Sequence, residues 1–141
     1  MAALYRRWIS DLWNGELSQL DAIARGIVSD DFIGNWPGQP GLVRGPSALA
    51  DVIRHGRQPF IDMRFDILLG PTSAGDIVSG RWVARGEYAA GDVAIPGAQA
   101  PAGTPVEFHG HDFLRFREGL FCEYWVISEG DLLMRQLQVS S

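Results

Sequence analysis

The fold of this chain is decided by VEFHGHDFLRFREGLFCEYW, residues 106–125. Successive side chains of a β-strand point to opposite faces of the sheet, and the first half of this stretch alternates between apolar and polar residues. One face would carry Val106, Phe108, Gly110, Asp112, Leu114 and Phe116, and the other Glu107, His109, His111, Arg115 and Arg117, with Phe113 as its one large apolar member. The pattern predicts a half-buried strand, a turn at Glu118-Gly119 and a second strand.

Asp112 is the one acid on the apolar face of the predicted strand. Burying an ionised carboxylate without a partner is costly, so such a group finds a partner or stays protonated. Either outcome suits a group that moves protons near neutral pH. Asp112 is therefore the first candidate for catalysis. The alternative interpretation is a carboxylate held in the core by an Arg, Tyr or Trp.

The length of the hairpin loop decides what faces Asp112. A two-residue loop would place Trp125 opposite Asp112, with Glu123 on the same face. A three-residue loop with Gly119 in a bulge would place Tyr124 opposite instead. The sequence leaves both registers open, and both aromatic residues are candidate substrate-binding residues.

The rest of the chain divides into a helical half and a strand half. Apolar residues at helical spacing predict helices over residues 4–13, over 17–27, and from Pro46 or Ser47 to His55. A period of two predicts strands over residues 63–69 and 77–88, and residues 132–137 form a short terminal helix or strand. Residues 91–105 form a loop rich in Gly, Ala and Pro, either a binding loop or a mobile one. Helices followed by antiparallel strands predict an α+β fold, with the helices on one face of a curved sheet and a pocket between them.

Composition narrows the classes of function. The 141 residues fit one domain, residues 1–141, and a hydrophobic fraction of 46% fits a folded soluble protein. The net charge is -5 without a basic run, and the apolar runs are short, so we expect neither a nucleic-acid partner nor a membrane span. A single cysteine, Cys122, leaves no internal disulfide, and a cytoplasmic location is the default expectation.

The order of motifs resembles the SnoaL-like group of the NTF2-like superfamily, which includes polyketide cyclases. The resemblance covers nearly the whole chain and is carried by Asp31-Phe32, Asn35-Trp36-Pro37, Gly45-Pro46-Ser47, Phe60 to Phe65, Gly75-Asp76-Ile77-Val78, Arg81-Trp82, Gly86, Gly110 to Phe116, and Glu118 to Trp125. It implies an α+β cone with a deep pocket, commonly paired as a homodimer through the sheet. It also implies an aspartate in the last hairpin, here Asp112, that acts as general acid/base in an aldol ring closure without metal or organic cofactor.

The resemblance also guides the choice of further site residues. Family members tend to have a histidine shortly after the glycine of the preceding strand, and here Glu87 and Tyr88 stand there instead. Tyr88 is the candidate for a hydrogen bond to a carbonyl or enolate oxygen, as in ketosteroid isomerase, where a protonated Asp lies beside a Tyr. The candidate substrate-binding residues are Asn35, Trp36, Trp82, Glu87, Tyr124 and Trp125. The small residues beside Trp82, Gly80 among them, leave room for something other than protein, or mark a bend.

The leading hypothesis is a cofactor-independent enzyme that exchanges a proton next to the carbonyl of an apolar small molecule. A second is isomerisation or epoxide opening, although the Asp-Arg-Asp arrangement for epoxides is disfavoured because Arg81 and Arg85 are out of phase with Trp82. A third is a non-catalytic dimeric domain that binds an apolar molecule. The pair His109 and His111 has metal-ligand spacing but lacks an evident third ligand beyond Glu107, so we expect no metal.

Overall fold

The computed structural model describes residues 1–38 and 40–140. The helices are α1 (Ala2–Arg7), continued by a π-helical segment (Trp8–Trp13), α2 (Leu20–Arg25) after a 3₁₀ turn (Leu17–Gln19), α3 (Gly45–Arg57) and α4 (Gly130–Gln136). The strands are β1 (Val28–Asn35), β2 (Val43–Arg44), β3 (Phe60–Ala74), β4 (Ile77–Tyr88), β5 (Pro105–Arg117) and β6 (Leu120–Ser128). A second 3₁₀ turn (Gly91–Val93) lies between β4 and β5. No described helix is long and apolar enough to cross a membrane.

The six strands form one mixed sheet in the order β2-β1-β6-β5-β4-β3. The pairs β3–β4, β4–β5, β5–β6 and β1–β2 are antiparallel, whereas β1 runs parallel to β6. Four helices pack on this unclosed sheet, which confirms the predicted α+β class with N-terminal helices on a mixed sheet. The terminal segment is helical, which settles the alternative that the sequence left open.

The alternation in β5 separates two faces as predicted. On the face that meets the helices, Val106, Gly110, Asp112 and Leu114 are buried. On the other face Phe113 is 52% exposed. This division, called here the inner and the outer face, holds for the whole hairpin because β6 continues it with Tyr124 and Val126 buried.

The hairpin register differs from both predicted alternatives. The loop has two residues, since Arg117 pairs with Leu120, and both loop residues have positive φ as a tight hairpin turn requires. However, Phe116 pairs with Phe121 and Arg115 with Glu123, so Cys122 is an extra residue on β6. This bulge moves the later pairs by one position.

Asp112 therefore lies opposite Val126, not opposite Trp125 or Tyr124. The two-residue loop was the correct alternative, but the partner and the face inferred from it were wrong. Because of the bulge, Trp125 and Glu123 point to the outer face, and Tyr124 lies on the inner face with Asp112.

Candidate active site

Asp112 is the one charged residue among the buried side chains described, with 1% of its surface exposed. Three groups donate hydrogen bonds to its carboxylate. The hydroxyl of Tyr5 lies 3.0 Å from Oδ2, the indole Nε1 of Trp82 lies 3.0 Å from Oδ1, and the hydroxyl of Tyr124 lies 2.7 Å from Oδ1. Each donor comes from a different element (α1, β4 and β6), so the carboxylate joins the first helix to the middle of the sheet.

Two strand glycines make room for two of these donors. A Cβ on Gly80, the β4 partner of Asp112, would lie 2.6 Å from the hydroxyl oxygen of Tyr5. A Cβ on Gly110 would lie 2.1 Å from Cζ2 of Trp82. The space that the sequence assigned to a ligand beside these small residues is therefore filled by protein rings.

Burial and hydrogen bonding act on Asp112 in opposite directions. Desolvation is the larger effect and raises the pKa of Asp112 to about 6 from its usual 3.8, while the bonds from Tyr124, Trp82 and Tyr5 lower it. The buried indole N–H of Trp8 makes no hydrogen bond within the described residues. The pKa values of Tyr5 and Tyr124 are raised, chiefly by burial and then by the charge of Asp112.

A cavity of about 590 Å³ lies between the helices and the inner face of the sheet. This volume is in the range of small-molecule sites. The lining is mainly apolar and aromatic: Trp13, Trp36, Val52, Phe60, Met63, Phe65, Trp82, Phe108, Tyr124, Val126 and Leu133, with Asp51, His55, Gly56 and Ser128.

Asp112 itself does not line this cavity, but two of its three donors do. Trp82 and Tyr124 contribute to the cavity wall and donate to the same oxygen, Oδ1 of Asp112. The carboxylate thus lies one side chain behind the wall. Of these two donors, the Tyr124 hydroxyl lies nearer to the carboxylate, at 2.7 Å against 3.0 Å for the Trp82 indole nitrogen.

Trp36 and Asn35 lie at the end of β1, beside β6. Trp36 lines the cavity, and its ring centroid lies 4.9 Å from that of Tyr124. The side chain of Asn35 does not line the cavity, and its Nδ2 donates to the backbone carbonyl of Tyr124 at 2.9 Å. Of these two predicted substrate-binding residues, the structure places Trp36 at the cavity and gives Asn35 a contact with the backbone of β6.

The structure does not bring Tyr88 to Asp112. Asp112 pairs with Gly80, and Tyr88 lies eight positions further along β4, roughly 26 Å away at strand spacing. The hydroxyl of Tyr88 instead accepts the backbone N–H of Ile95 at 3.0 Å. The structure therefore does not place Tyr88 beside the acid.

Glu87 and Trp125 both project from the outer face, away from the cavity. Glu87 is exposed and borders a shallow surface depression with Arg85 and Glu107. Trp125 has the guanidinium carbon of Arg115 5.8 Å from its ring centroid. Neither predicted substrate-binding residue reaches the cavity, because strand alternation and the β6 bulge turn both outward.

Neither the metal site nor the epoxide arrangement has its residues in place. His109 bonds to Glu129 at 2.6 Å and His111 interacts with Arg81, so the two imidazoles have separate partners. Among residues 1–38 and 40–140, no group of three or more potential ligands could hold a metal ion. Arg81 lies on the outer face with His111, and Arg85 pairs with Glu107 at 3.2 Å, so neither is a partner of Asp112.

Sequence reasoning missed Tyr5 and the contribution of α3. The helical pattern over residues 4–13 includes Tyr5, whose hydroxyl needs a partner when the side chain is buried. Asp51 and His55 line the cavity from α3, where His55 Nδ1 lies 2.8 Å from the Asp51 carbonyl. Nothing in the spacing of α3 distinguished these two from ordinary solvent-facing residues.

Comparison with known proteins agrees with this architecture. The family model of the SnoaL-like polyketide cyclases matches residues 3–137. IdmH from Streptomyces antibioticus, provisionally assigned as a polyketide cyclase, is 25% identical, covers 97% of each chain and has a TM-score of 0.76. A SnoaL-like protein from Jannaschia sp. CCS1, with the same provisional assignment, is 12% identical over 99% of this chain and 92% of its own, at a TM-score of 0.79.

The likeness to a third solved structure bears on the fold only. A protein of ketosteroid isomerase-like fold from Catenulispora acidiphila is 14% identical over 97% of this chain and 93% of its own, with a TM-score of 0.74. No curated protein matches the chain. The family model spans both the helices that cover the cavity and the hairpin that carries Asp112. The chain therefore belongs to the SnoaL-like polyketide cyclase family.

Proposed function

We propose that this protein is a cofactor-independent enzyme that moves a proton next to the carbonyl of an apolar small molecule, as in the aldol chemistry of polyketide cyclisation. The observation that carries the proposal is the position of Asp112, a carboxyl with a pKa raised to about 6, directly behind the wall of an apolar cavity. Family membership supports the substrate class.

The proton reaches Asp112 through Tyr124. At pH 7 Asp112 is mostly ionised and accepts the hydroxyl hydrogen of Tyr124. As the Tyr124 oxygen takes a proton from the bound substrate, its own hydroxyl proton passes to Asp112, and an enolate remains. The raised pKa of Tyr124 disfavours a free tyrosinate, so the two transfers occur together. Protonation of the ring-closed alkoxide reverses the path.

The assay is exchange of the protons next to the carbonyl of 2-tetralone, an apolar bicyclic ketone, in D₂O, followed by proton NMR. We expect the parent protein to accelerate exchange and the rate to rise with pH through about 6, as Asp112 loses its proton. Asp112→Asn and Tyr124→Phe should each lower the rate by about 10² to 10⁴-fold while keeping the fold. Exchange at the parent rate in Asp112→Asn would falsify the assignment.

Tyr88→Phe is the matched control for Tyr124→Phe. It removes a buried hydroxyl that bonds to a backbone amide rather than to Asp112, so the exchange rate should stay at the parent value. A loss equal to that of Tyr124→Phe would show that removing any buried hydroxyl is enough to disturb the site, and the relay through Tyr124 would be wrong.

A second candidate function is ligand binding without chemistry. It is favoured by the three donors that satisfy Asp112 and by its separation from the cavity. In the same assay it predicts that 2-tetralone binds to the parent protein without accelerated exchange, and that Asp112→Asn changes neither property.

We also propose that the outer face pairs with a second copy of the chain. Leu69, Phe113 and Ile127 are 68%, 52% and 69% exposed and lie on β3, β5 and β6. Leu69 and Ile127 lie at the two ends of one row across the sheet, with Arg81 and His111 between them, so the exposed apolar side chains share one face with these two polar residues. Apolar surface shared by several strands is typical of an interaction site.

A further inference from the structure

Trp36 forms a wall shared by three depressions. It lines the 590 Å³ cavity, a groove of about 520 Å³ along α4, and a depression of about 690 Å³ beside the outer face of β6. Val126 also lines all three spaces, from β6, and Ser128 lines both the cavity and the α4 groove. Of these three spaces, Trp13 lines the cavity alone.

The indole of Trp36 is only half-buried and is positioned by packing against its neighbours. It lies over Gly34, where an added Cβ would come within 2.3 Å of its Cζ3. Its ring centroid also lies 4.9 Å from that of Tyr124. Gly34 must therefore lack a side chain for the indole to occupy this position.

The two spaces on either side of the indole differ in polarity. The cavity is mainly apolar and aromatic, whereas the α4 groove is also lined by Glu129, Asp131 and Arg135. A molecule that occupied both would have its rings in the cavity and a chain that ends in a polar group in the groove.

We propose that Trp36 determines the length of ligand that this protein accepts, because its indole closes the cavity toward the α4 groove. Replacing it with a small side chain joins the two spaces, and the groove then takes the polar-ended chain of an aryl ketone whose ring lies in the cavity. This inference rests on the proposed function only in that the cavity binds the ligand.

The test uses 1-phenyl-ω-hydroxyalkan-1-ones of increasing chain length, with binding measured by titration calorimetry. In the parent protein, affinity should rise by about fourfold for each methylene that becomes buried and stop rising once the cavity is full. In Trp36→Ala the rise should continue for at least two more methylenes, so the longest probes gain about sixteenfold or more over the parent.

Two further variants separate an opened wall from mere extra volume. Trp13→Ala removes the same side chain from the same cavity without opening it to the groove, so the limiting chain length should change less than in Trp36→Ala. Leu132→Trp, which fills the α4 groove, should restore the parent limit when it is added to Trp36→Ala.

Gly34→Ala offers a second route to the same result if Trp36→Ala does not fold, because it keeps the tryptophan at position 36 while its added methyl group pushes the indole out of the wall. It should raise the length limit as Trp36→Ala does. An unchanged limit in both, or equal limits in Trp13→Ala and Trp36→Ala, overturns the role of Trp36 and leaves the proton-transfer proposal standing. Failure of every probe to bind the parent protein overturns both the role of Trp36 and the proton-transfer proposal.

Discussion

The carboxyl of Asp112 combines complete burial with complete hydrogen bonding, and these two conditions have opposite effects on its charge. Burial favours the protonated form, while three donors favour the ionised one. Because burial is the larger effect, the group titrates nearer to neutral pH than an exposed aspartate. A carboxyl with this behaviour accepts a proton at pH 7 and releases it again at little cost, which is the property that general acid/base chemistry needs.

The same shift predicts how stability depends on pH. The folded-state pKa of about 6 exceeds the usual 3.8, so between these values the folded protein holds a proton that the unfolded chain releases. The contribution of Asp112 to the free energy of unfolding is therefore greatest below about pH 4, falls as pH rises to about 6, and is then constant. A shift of this size corresponds to about 3 kcal/mol.

Chemical denaturation at pH 4 and pH 7 checks this, with Asp112→Asn as the reference, since every other titrating group is common to both proteins. Relative to Asp112→Asn, the parent protein should lose on the order of 3 kcal/mol between the two pH values. A stability difference that stays constant with pH would mean that burial does not raise the pKa of this carboxyl.

At the scale of elements, strands β4 and β5 leave room for aromatic side chains by having glycine at the inner positions next to them. Gly80 accommodates Tyr5 from α1, and Gly110 accommodates Trp82 from β4. Both aromatic residues donate to Asp112, so the two glycines position the donors although they make no polar contact themselves.

Gly80→Ala should therefore act on Asp112 through Tyr5. The added methyl group overlaps the Tyr5 hydroxyl and displaces it, which removes one bond that favours the ionised carboxylate. We expect the protein to lose about 1 to 3 kcal/mol of stability and the pKa of Asp112 to rise further. Denaturation gives the first quantity, and carbon-13 NMR of the aspartate carboxyls gives the second.

Gly56→Ala is the matched control, because a Cβ at Gly56 has no atom within 4 Å and the residue lies inside α3. It should stabilise the protein by up to about 1 kcal/mol and leave the Asp112 titration unchanged. If Gly80→Ala behaves like Gly56→Ala, the close approach of Tyr5 to β4 is not what holds that hydroxyl.

The elements also explain what the sequence could predict of this site. Strict alternation placed Asp112 on the buried face, because strand geometry alone sets that phase. It could not predict the bulge at Cys122, since one extra residue leaves each half of β6 with a normal pattern. It could not link Tyr5 to Asp112 either, because 107 residues separate them and only the docking of α1 on the sheet brings them together.

At the scale of the whole molecule, the two faces of the sheet differ in what covers them. The inner face carries the cavity and the buried acid, and the helices cover it. The outer face has no described helix over the aligned Leu69 and Ile127, and its ion pairs, such as Arg85 with Glu107, lie within the same face. An exposed surface of this kind, which runs from the edge strand β3 to β6, is suited to face an identical surface across a two-fold axis.

Sedimentation velocity tests the pairing of the outer faces. The parent protein should sediment with twice the mass of one chain, and replacing Phe113 and Ile127 together with lysine should give monomers. The change removes apolar contact, and it adds two positive charges to the face that carries Arg81, so two such faces would repel each other across a two-fold axis. Leu42→Lys is the control, because Leu42 is 48% exposed but lies beside β2 at the far edge of the sheet.

A monomeric parent protein, or a double variant that stays dimeric, would show that the outer face is not the interface. Because neither substitution touches the cavity, the double variant should still bind 2-tetralone, which separates assembly from ligand binding.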